Sequence, residues 1–466
     1  MDIRPPHPPE VAPCLRTWFA RPVTIRNPDT RPVRLYGWRH PAILATAWFT
    51  LAAGFAQFGA TSALGDVART FGTDQGGTSI AAKVGLSGAT LGIGLAVIRL
   101  ASLGSLPLAG LADRFGRKLT LIGCVALGLA LTATAAVSPT FWWFVVIFAI
   151  GRPLLSATNT VAGVIAAEET ASQDRAKAIA VVTAGFGIGA GLTALLRGAL
   201  GGQLGFRGLF ALALVPLAVT PLIARKLKEP ERYQRLRTGA ALGAAVATDP
   251  AAAIPPPAAD GWRALWVAGQ VRPEQRPRLW LLTGLTFAFS FVTGPMNTFL
   301  FVYAENALGL SSSVTALIVL AAGPVGLVGL LAGRWAADTL GRRRSAAFTQ
   351  ALVALAGTVT YSGSTTGVVC GYLLAILGAS AYGPATVALA AELFPTRVRA
   401  SVAGWLVAAG VLGAVAGLVA FGMLADALGS FGFGAVLVCA PVVVISVLFT
   451  RLPETAGMEL EQSAPE

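Results

Sequence analysis

Long apolar runs alternate with short polar segments along most of the chain. An α-helix needs about 20 mainly apolar residues to cross the hydrocarbon core of a bilayer. A backbone in hydrocarbon must also satisfy its own hydrogen bonds, so the runs are predicted to be membrane-spanning helices. About twelve spans are predicted, at 42–64, 87–110, 119–137, 141–167, 179–200, 209–224, 279–303, 314–335, 346–361, 368–390, 402–424 and 433–449.

The composition fits this pattern and excludes other classes. Of the 466 residues, 55% are hydrophobic and only 12% are charged, whereas soluble domains carry about 25% charged residues. The fold class is therefore predicted as all-α and integral to the membrane. The sequence shows no nucleophile paired with a base, no metal-ligand cluster and no phosphate-binding loop, so neither an enzyme nor a cofactor or metal is predicted.

The net charge of +13 is distributed unevenly. With the N-terminus in the cytoplasm, only Arg69, Lys83 and Arg207 fall in outward-facing segments, while three further arginines lie inside spans. All other Lys and Arg residues are then cytoplasmic, as positively charged loops of membrane proteins are. We therefore predict a multi-pass protein of the plasma (inner) membrane with both termini cytoplasmic. The lipid bilayer, rather than nucleic acid, explains the basic charge.

Three pairs of identical residues are separated by nearly the same number of positions, which indicates an internal duplication. The spacing predicts two pseudo-symmetric six-helix bundles. The predicted segments are a cytoplasmic arm (1–41), an N-terminal bundle (42–224), a cytoplasmic linker (225–278), a C-terminal bundle (279–450) and a cytoplasmic tail (451–466). The pairs are Asp113 and Asp338, 225 residues apart, Glu168 and Glu392, 224 apart, and Pro230 and Pro453, 223 apart.

Two loop motifs carry a family resemblance. The segment Asp113-Arg-Phe-Gly116-Arg117-Lys118 resembles the signature loop between helices two and three of the major facilitator superfamily. The segment Leu452-Pro453-Glu454-Thr455-Ala456-Gly457 is similar to the ending of sugar porters and organic-ion (metabolite) transporters. The resemblance implies transport of a small solute by alternating access.

The resemblance also implies an inner gate made of charged residues at the cytoplasmic loops. The alternative is that these residues only fix topology and tighten turns, for which glycines of positive φ are suited. The predicted gate residues are Asp113, Gly116, Arg117, Glu168, Arg175, Asp338, Gly341, Arg342, Glu392, Arg399 and Glu454.

Ionisable residues at membrane depth cost about 2.5 to 3.5 kcal/mol on insertion scales, so they indicate function. The embedded charges are all arginines, at Arg99, Arg152 and Arg197, with no Asp or Glu deep in any span. We expect these arginines to lack protein counter-ions and to bind an anionic solute, because a guanidinium can hold a carboxylate in bidentate fashion.

Further polar residues are predicted to line the solute cavity. Ser156 and Asn159 share a helix face with Arg152, at i+4 and i+7. In the family the first, fourth, seventh and tenth helices line the cavity, which adds Gln57, Asn297 and Tyr382. Each of the three could instead form ordinary hydrogen bonds between helices.

The leading hypothesis is a transporter of a small organic anion, functioning as a monomer. Proton-coupled sugar porters have an acidic residue in the motif Gly-Phe-Asp, where this chain has Gly54-Phe55-Ala56. A uniporter, an anion exchanger or a symporter whose proton rides on the substrate therefore fits better. The alternatives are a sugar or polyol facilitator, a drug or metabolite exporter and, from a different class, a non-transporting membrane sensor.

Overall fold

The structure is a computed structural model that describes residues 37–72, 84–170, 172–230, 234 and 271–456. Within these ranges the side chains at 113, 172–173, 175–176, 201–204, 396–397 and 400 lie outside the description. Most of the predicted arm, most of the predicted linker and the end of the predicted tail therefore fall outside the described residues. The predicted segment boundaries stay predictions.

The described chain is built from helices joined by short turns. Gly205, at φ 52° and ψ −168°, breaks α7 into two spans. The α-helices are α1 (Pro41–Ser62), α2 (Leu64–Phe71), α3 (Gly88–Ala101), α4 (Ser105–Phe115), α5 (Arg117–Thr134), α6 (Phe141–Glu169), α7 (Ser172–Ala211), α8 (Leu214–Ala224), α9 (Arg276–Thr298), α10 (Ser312–Thr339), α11 (Arg342–Thr360), α12 (Thr365–Glu392), α13 (Thr396–Leu428) and α14 (Phe431–Ser446). A π-helical turn, Val302–Ala307, follows α9.

Eleven helices in the described ranges are long and apolar enough to cross a membrane, which confirms the predicted fold class. The predicted span at 346–361 is α11, a helix of 19 residues. It is too polar to meet the same criterion because it opens with Arg342-Arg343-Arg344 and continues with Thr and Gln side chains. It nevertheless packs between α12 and α14 as a full member of the bundle.

Serine and threonine residues are the N-caps of five helices that start at the same end of the bundle. Ser87, Thr140, Ser311, Ser364 and Ser430 each accept a hydrogen bond from a backbone N–H in the first turn of the following helix. Such caps satisfy N–H groups that have no partner within the helix. We call this end, predicted to face outwards, the outer end, and the opposite end the inner end.

Glycines allow the closest helix contacts. A Cβ at Gly189 would collide with the backbone oxygen of Leu51 on α1, and one at Gly417 with that of Phe291 on α9. The pairs α1–α7 and α9–α13 therefore pack backbone against backbone, as small residues permit in membrane bundles.

Two helix pairs make the most extensive contacts between the first six spans (residues 41–224, here the N half) and the remaining spans (residues 273–451, the C half). These are α3 with α13 and α7 with α10. Gly92 lies against Leu418 in the first pair and Gly198 against Ala316 in the second. Both contacts lie in the outer part of the bundle.

We predict that Gly189→Ala destabilises the protein, because the added methyl group meets a backbone oxygen that no side-chain rotation can move. Overpacking of this kind costs about 1–3 kcal/mol, so the apparent Tm should fall by at least ~3 °C. Gly187→Ala on the same helix is the matched control, because a Cβ there has nothing within 4 Å. Equal Tm values for the two purified variants in thermal unfolding would contradict this packing.

Candidate functional site

Arg99 faces the space between the two halves. Gly88 and Gly92 of α3 lie against Gly422 and Leu418 of α13, and Arg99 follows Gly92 by seven residues, on the same helix face. Helix α13 also comes close to residues 102–104, just after Arg99. The Arg99 side chain is exposed beside this contact between the halves, so water can reach it.

Arg152 lies beside the same space, about one helical turn nearer the inner end. Helices α3 and α6 run side by side in the same direction, with Gly94 against Val145 and Gly104 against Pro153. This register places Arg99 about one turn, or roughly 5 Å along the axis, from Arg152. Arg152 is seven residues after Val145, so it lies on the stripe of α6 that faces α3. The charges of the two guanidinium groups are close enough to repel each other.

Neither guanidinium has a partner among the described residues. No ion pair or side-chain hydrogen bond of Arg99 or Arg152 occurs there, and the Nε of Arg152 is fully buried without an acceptor. Charged groups in a protein interior are normally paired. We call the space around these two arginines the chamber.

The other predicted residues of α1 and α6 offer polar atoms without partners. Within the described chain, the Nε2 of Gln57 and the Oδ1 of Asn159 are buried and have no hydrogen-bond partner. Ser156 is half-buried on the same face of α6 as Arg152. A buried polar atom left unsatisfied is uncommon in folded proteins, so these residues remain candidates for solute contact.

The predicted residues of the C half have partners for part of their side chains, while the hydroxyl of Tyr382 is buried without a hydrogen-bond partner among the described residues. The Nδ2 of Asn297 donates to the backbone oxygen of Thr293, 2.9 Å away on its own helix. The ring of Tyr382 is buried and stacks on Phe289, with centroids 3.8 Å apart and planes 5° from parallel. These residues shape the C-half side, and whether they touch solute stays a prediction.

Arg197 differs from the other two arginines. Its guanidinium forms a bidentate ion pair with Glu305 of the π-helical turn after α9. Its Nη2 is also 3.0 Å from the carboxylate of Asp66. Arg197 and Glu305 are each only 3% exposed. The expectation that all three embedded arginines lack protein counter-ions is therefore wrong for Arg197.

The Arg197–Glu305 pair belongs to a set of contacts that join the halves at the outer end. Arg69 donates to the backbone oxygen of Glu305 over 3.0 Å, and Asn306 donates to that of Gly65 over 3.0 Å. The carboxylate of Asp426 on α13 accepts from the backbone N–H groups that begin α3, at 2.7 and 2.8 Å, where the helix dipole favours negative charge. We call these contacts the outer lock.

At the inner end of the N half, two predicted gate residues, Arg117 and Glu168, form a network with Glu229. Gly116, at φ 108°, turns the chain from α4 into α5. Arg117 forms an ion pair with Glu168 at the end of α6. Glu229, after α8, accepts from the backbone N–H groups of Arg117 and Lys118, at 2.5 and 3.2 Å. The carboxylate therefore caps the start of α5.

The inner end of the C half repeats this arrangement. Gly341 has φ 95°, and Arg342 lies 2.5 Å from Asp338 and 3.5 Å from Glu392. Glu454 accepts from the backbone N–H of Arg342 at 2.7 Å and so caps α11. Of the remaining predicted gate residues, Arg399 is half-buried, and the side chains of Asp113 and Arg175 lie outside the described residues.

Glu229 is a site residue that the sequence analysis missed. The matching of Pro230 with Pro453 selects Glu231 as the partner of Glu454, whereas the structure gives the equivalent role to Glu229. The spacing from Glu229 to Glu454 is 225 residues, the same as from Asp113 to Asp338 and from Gly116 to Gly341. That spacing, applied strictly, would have identified it.

The described hydrogen bonds and ion pairs that join the two halves lie at the outer end, and those at the inner end stay within one half. Closure at one end only is the arrangement of one state of a transporter whose halves rock about a central site.

Two solved structures resemble this fold. The xylose transporter of E. coli in an inward-open conformation superimposes with a TM-score of 0.68 at 18% identity, covering 90% of this chain and 98% of that one. A bacterial homologue of the human lysosomal transporter Spinster, inward-facing and occupied, gives a TM-score of 0.63 at 18% identity, covering 88% and 96%. At these identities the likeness concerns the fold.

Two sequence relatives are named as transporters of organic acids. The cis,cis-muconate transport protein of Acinetobacter baylyi is 24% identical over 368 residues, covering 76% of this chain and 85% of the relative. The gentisate transporter of Corynebacterium glutamicum is 24% identical over 398 residues, covering 84% and 82%. The sequence profile of the Major Facilitator Superfamily matches residues 44–383. The predicted family is thereby confirmed: this multi-pass membrane protein belongs to the major facilitator superfamily.

Proposed function

We propose that this protein is a secondary transporter that moves a small organic anion across the plasma membrane by alternating access. The observation that carries the proposal is the chamber itself, where Arg99 and Arg152 have no acidic partner among the described residues. A buried guanidinium without a counter-charge is costly. A carboxylate solute supplies that charge through two parallel hydrogen bonds.

The two relatives named for muconate and gentisate support an organic acid as the solute. In both names the solute is a small unsaturated or aromatic carboxylic acid. Aromatic side chains also occur in the C half, including the stacked pair Phe289 and Tyr382 in its hydrophobic core. We propose an unsaturated or aromatic carboxylate as the solute class.

A sugar facilitator gains little from the structure. The motif that favoured a sugar facilitator, Pro453-Glu454-Thr455, forms structural hydrogen bonds at the inner end. Glu454 caps α11, and the hydroxyl of Thr455 donates to Glu392 over 2.5 Å. The motif therefore closes a structural network and is remote from the chamber.

In the proposed cycle the outer lock holds the inward-facing state and must separate for the protein to open outwards. Arg197 and Asp66 belong to the N half and Glu305 to the C half, so the bidentate pair breaks when the halves move apart. At the inner end the two capped networks keep each half rigid, and we propose that their charged surfaces meet when that end closes. The positive charge of its loops supports a cytoplasmic placement of the inner end.

We predict that organic anions raise the Tm of the purified protein and that Arg152→Gln abolishes the effect. The variant lacks the guanidinium that pairs with the solute carboxylate. Loss of a hydrogen bond to a charged group costs about 1.5–3 kcal/mol, so uptake into proteoliposomes should fall about tenfold or more. Arg207→Gln is the matched control, because Arg207 is exposed at the outer end. Stabilisation by neutral sugars alone, or by anions equally in both variants, would contradict the proposal.

We predict that Glu305→Gln shifts the protein towards the outward-open state, because it removes one charge of a buried pair and leaves Arg197 with Asp66 alone. The measurement is labelling of Ala316→Cys by a membrane-impermeant maleimide, in a background without native cysteines. Ala316 is buried between α7 and α10, so labelling from outside should rise severalfold.

Two controls sharpen this test of the outer lock. Glu274→Gln removes an exposed carboxylate at the inner end and should leave labelling unchanged. The exchanged pair Arg197→Glu with Glu305→Arg should restore low labelling, since it re-forms the ion pair. Low labelling in Glu305→Gln, or no rescue in the exchanged pair, would show that this ion pair does not hold the outer end shut.

A further inference from the structure

The chamber holds two uncompensated positive charges. Arg99 and Arg152 both belong to the N half and lie about one helical turn apart on neighbouring helices. Because their charges repel, each one raises the free-energy cost of burying the other. In the inward-facing arrangement Arg99 is exposed, so water can hydrate it. When the halves close around the solute, fewer water molecules hydrate the two guanidinium groups. Their charges must then be neutralised by the solute.

No described residue of the C half can compensate them. The acidic side chains of the C half described here lie near the two ends of the bundle, in the outer lock (Glu305 and Asp426) and in the inner network or beside it (Glu274, Asp338, Glu392 and Glu454). The residues predicted on the C-half side, Asn297 and Tyr382, are uncharged. A monoanionic solute would therefore leave one guanidinium unpaired in the closed state, whereas a dianion would neutralise both.

We propose that the solute is a dianion, a dicarboxylate whose two carboxylates are held by Arg99 and Arg152. This inference rests on the proposed function and narrows its substrate class. The register of α3 and α6 separates the two arginines by about one helical turn, so each carboxylate of a dicarboxylate can meet its own arginine. Gln57 and Asn159 supply further unsatisfied polar atoms among the described residues.

The test uses pairs of acids in which one methyl group is replaced by a carboxylate. The pairs are crotonate and fumarate, sorbate and trans,trans-muconate, and 4-methylbenzoate and terephthalate. Binding of each to the purified full-length protein is measured by calorimetry at about pH 8, where all the carboxylates are ionised. In at least one pair the dicarboxylate should bind about tenfold tighter or more, which corresponds to ~1.4 kcal/mol.

Variants assign the preference to the two arginines. Arg99→Gln should reduce the ratio of the two affinities in that pair to about one, while Arg99→Lys, which keeps the charge, should retain a preference for the dicarboxylate. Arg207→Gln should leave the ratio unchanged. Each variant is first shown to elute as a single species with an unchanged Tm; if Arg99→Gln fails this check, the comparison of Arg152→Gln with Arg152→Lys takes its place.

The outcomes separate this inference from the proposed function. If the monocarboxylate binds as tightly as the dicarboxylate in every pair, or the preference persists in Arg99→Gln, the dianion proposal is overturned. In that case monocarboxylate binding that is lost in Arg152→Gln would still support an organic-anion transporter. Absence of binding by all six acids would overturn both.

Discussion

A buried guanidinium requires a negative partner, and this protein meets the requirement in two different ways. Arg197 finds its partners in the protein, Glu305 and Asp66, and the result is a closed outer end. Arg99 and Arg152 find none among the described residues, and the result is a chamber whose charge balance depends on what enters it. In the proposed function the same type of side chain thus contributes to conformation in one place and to recognition in the other.

The helix packing allows both states to be reached without rebuilding either half. Within each half, glycines bring α1 against α7 and α9 against α13 at backbone distance, so each pair moves as one body. Between the halves, small residues such as Gly92 and Gly198 also permit close contact, and the polar contacts of the outer lock add to it. Polar contacts that water can replace are suited to an interface that opens and closes.

Capping by acidic residues keeps the inner ends of the halves ordered. Glu229 and Glu454 occupy equivalent places at the starts of α5 and α11, where the unpaired N–H groups and the helix dipole both favour a carboxylate. Arg117 and Arg342 then bring in Glu168 and Glu392 from the ends of α6 and α12. Three segments distant in sequence are thereby fixed to one another in each half.

The apolar pattern predicted the fold well, because spanning helices are dictated by the length of lipid to be crossed. The polar helix α11 shows that a span within a bundle need not be apolar all round. Arg99 and Arg152 could be identified because a charge inside an apolar run is visible in sequence.

The partners of Arg197 could not be predicted. Glu305 is 108 residues away in the other half. The periodicity of a sequence does not predict a contact that forms only when two helix bundles pack together. Glu229 was missed for a different reason. The proline match shifted the register by two residues, although the duplicated spacing identified the correct one.

Binding of a solute carboxylate by the chamber arginines is best tested by a structure of the protein in a lipid nanodisc with a bound dicarboxylate. We expect solute density between α3 and α6, with carboxylate oxygens within hydrogen-bond distance of the guanidinium groups of both Arg99 and Arg152. Solute bound elsewhere, or an acidic side chain of the protein paired with either arginine, would contradict it.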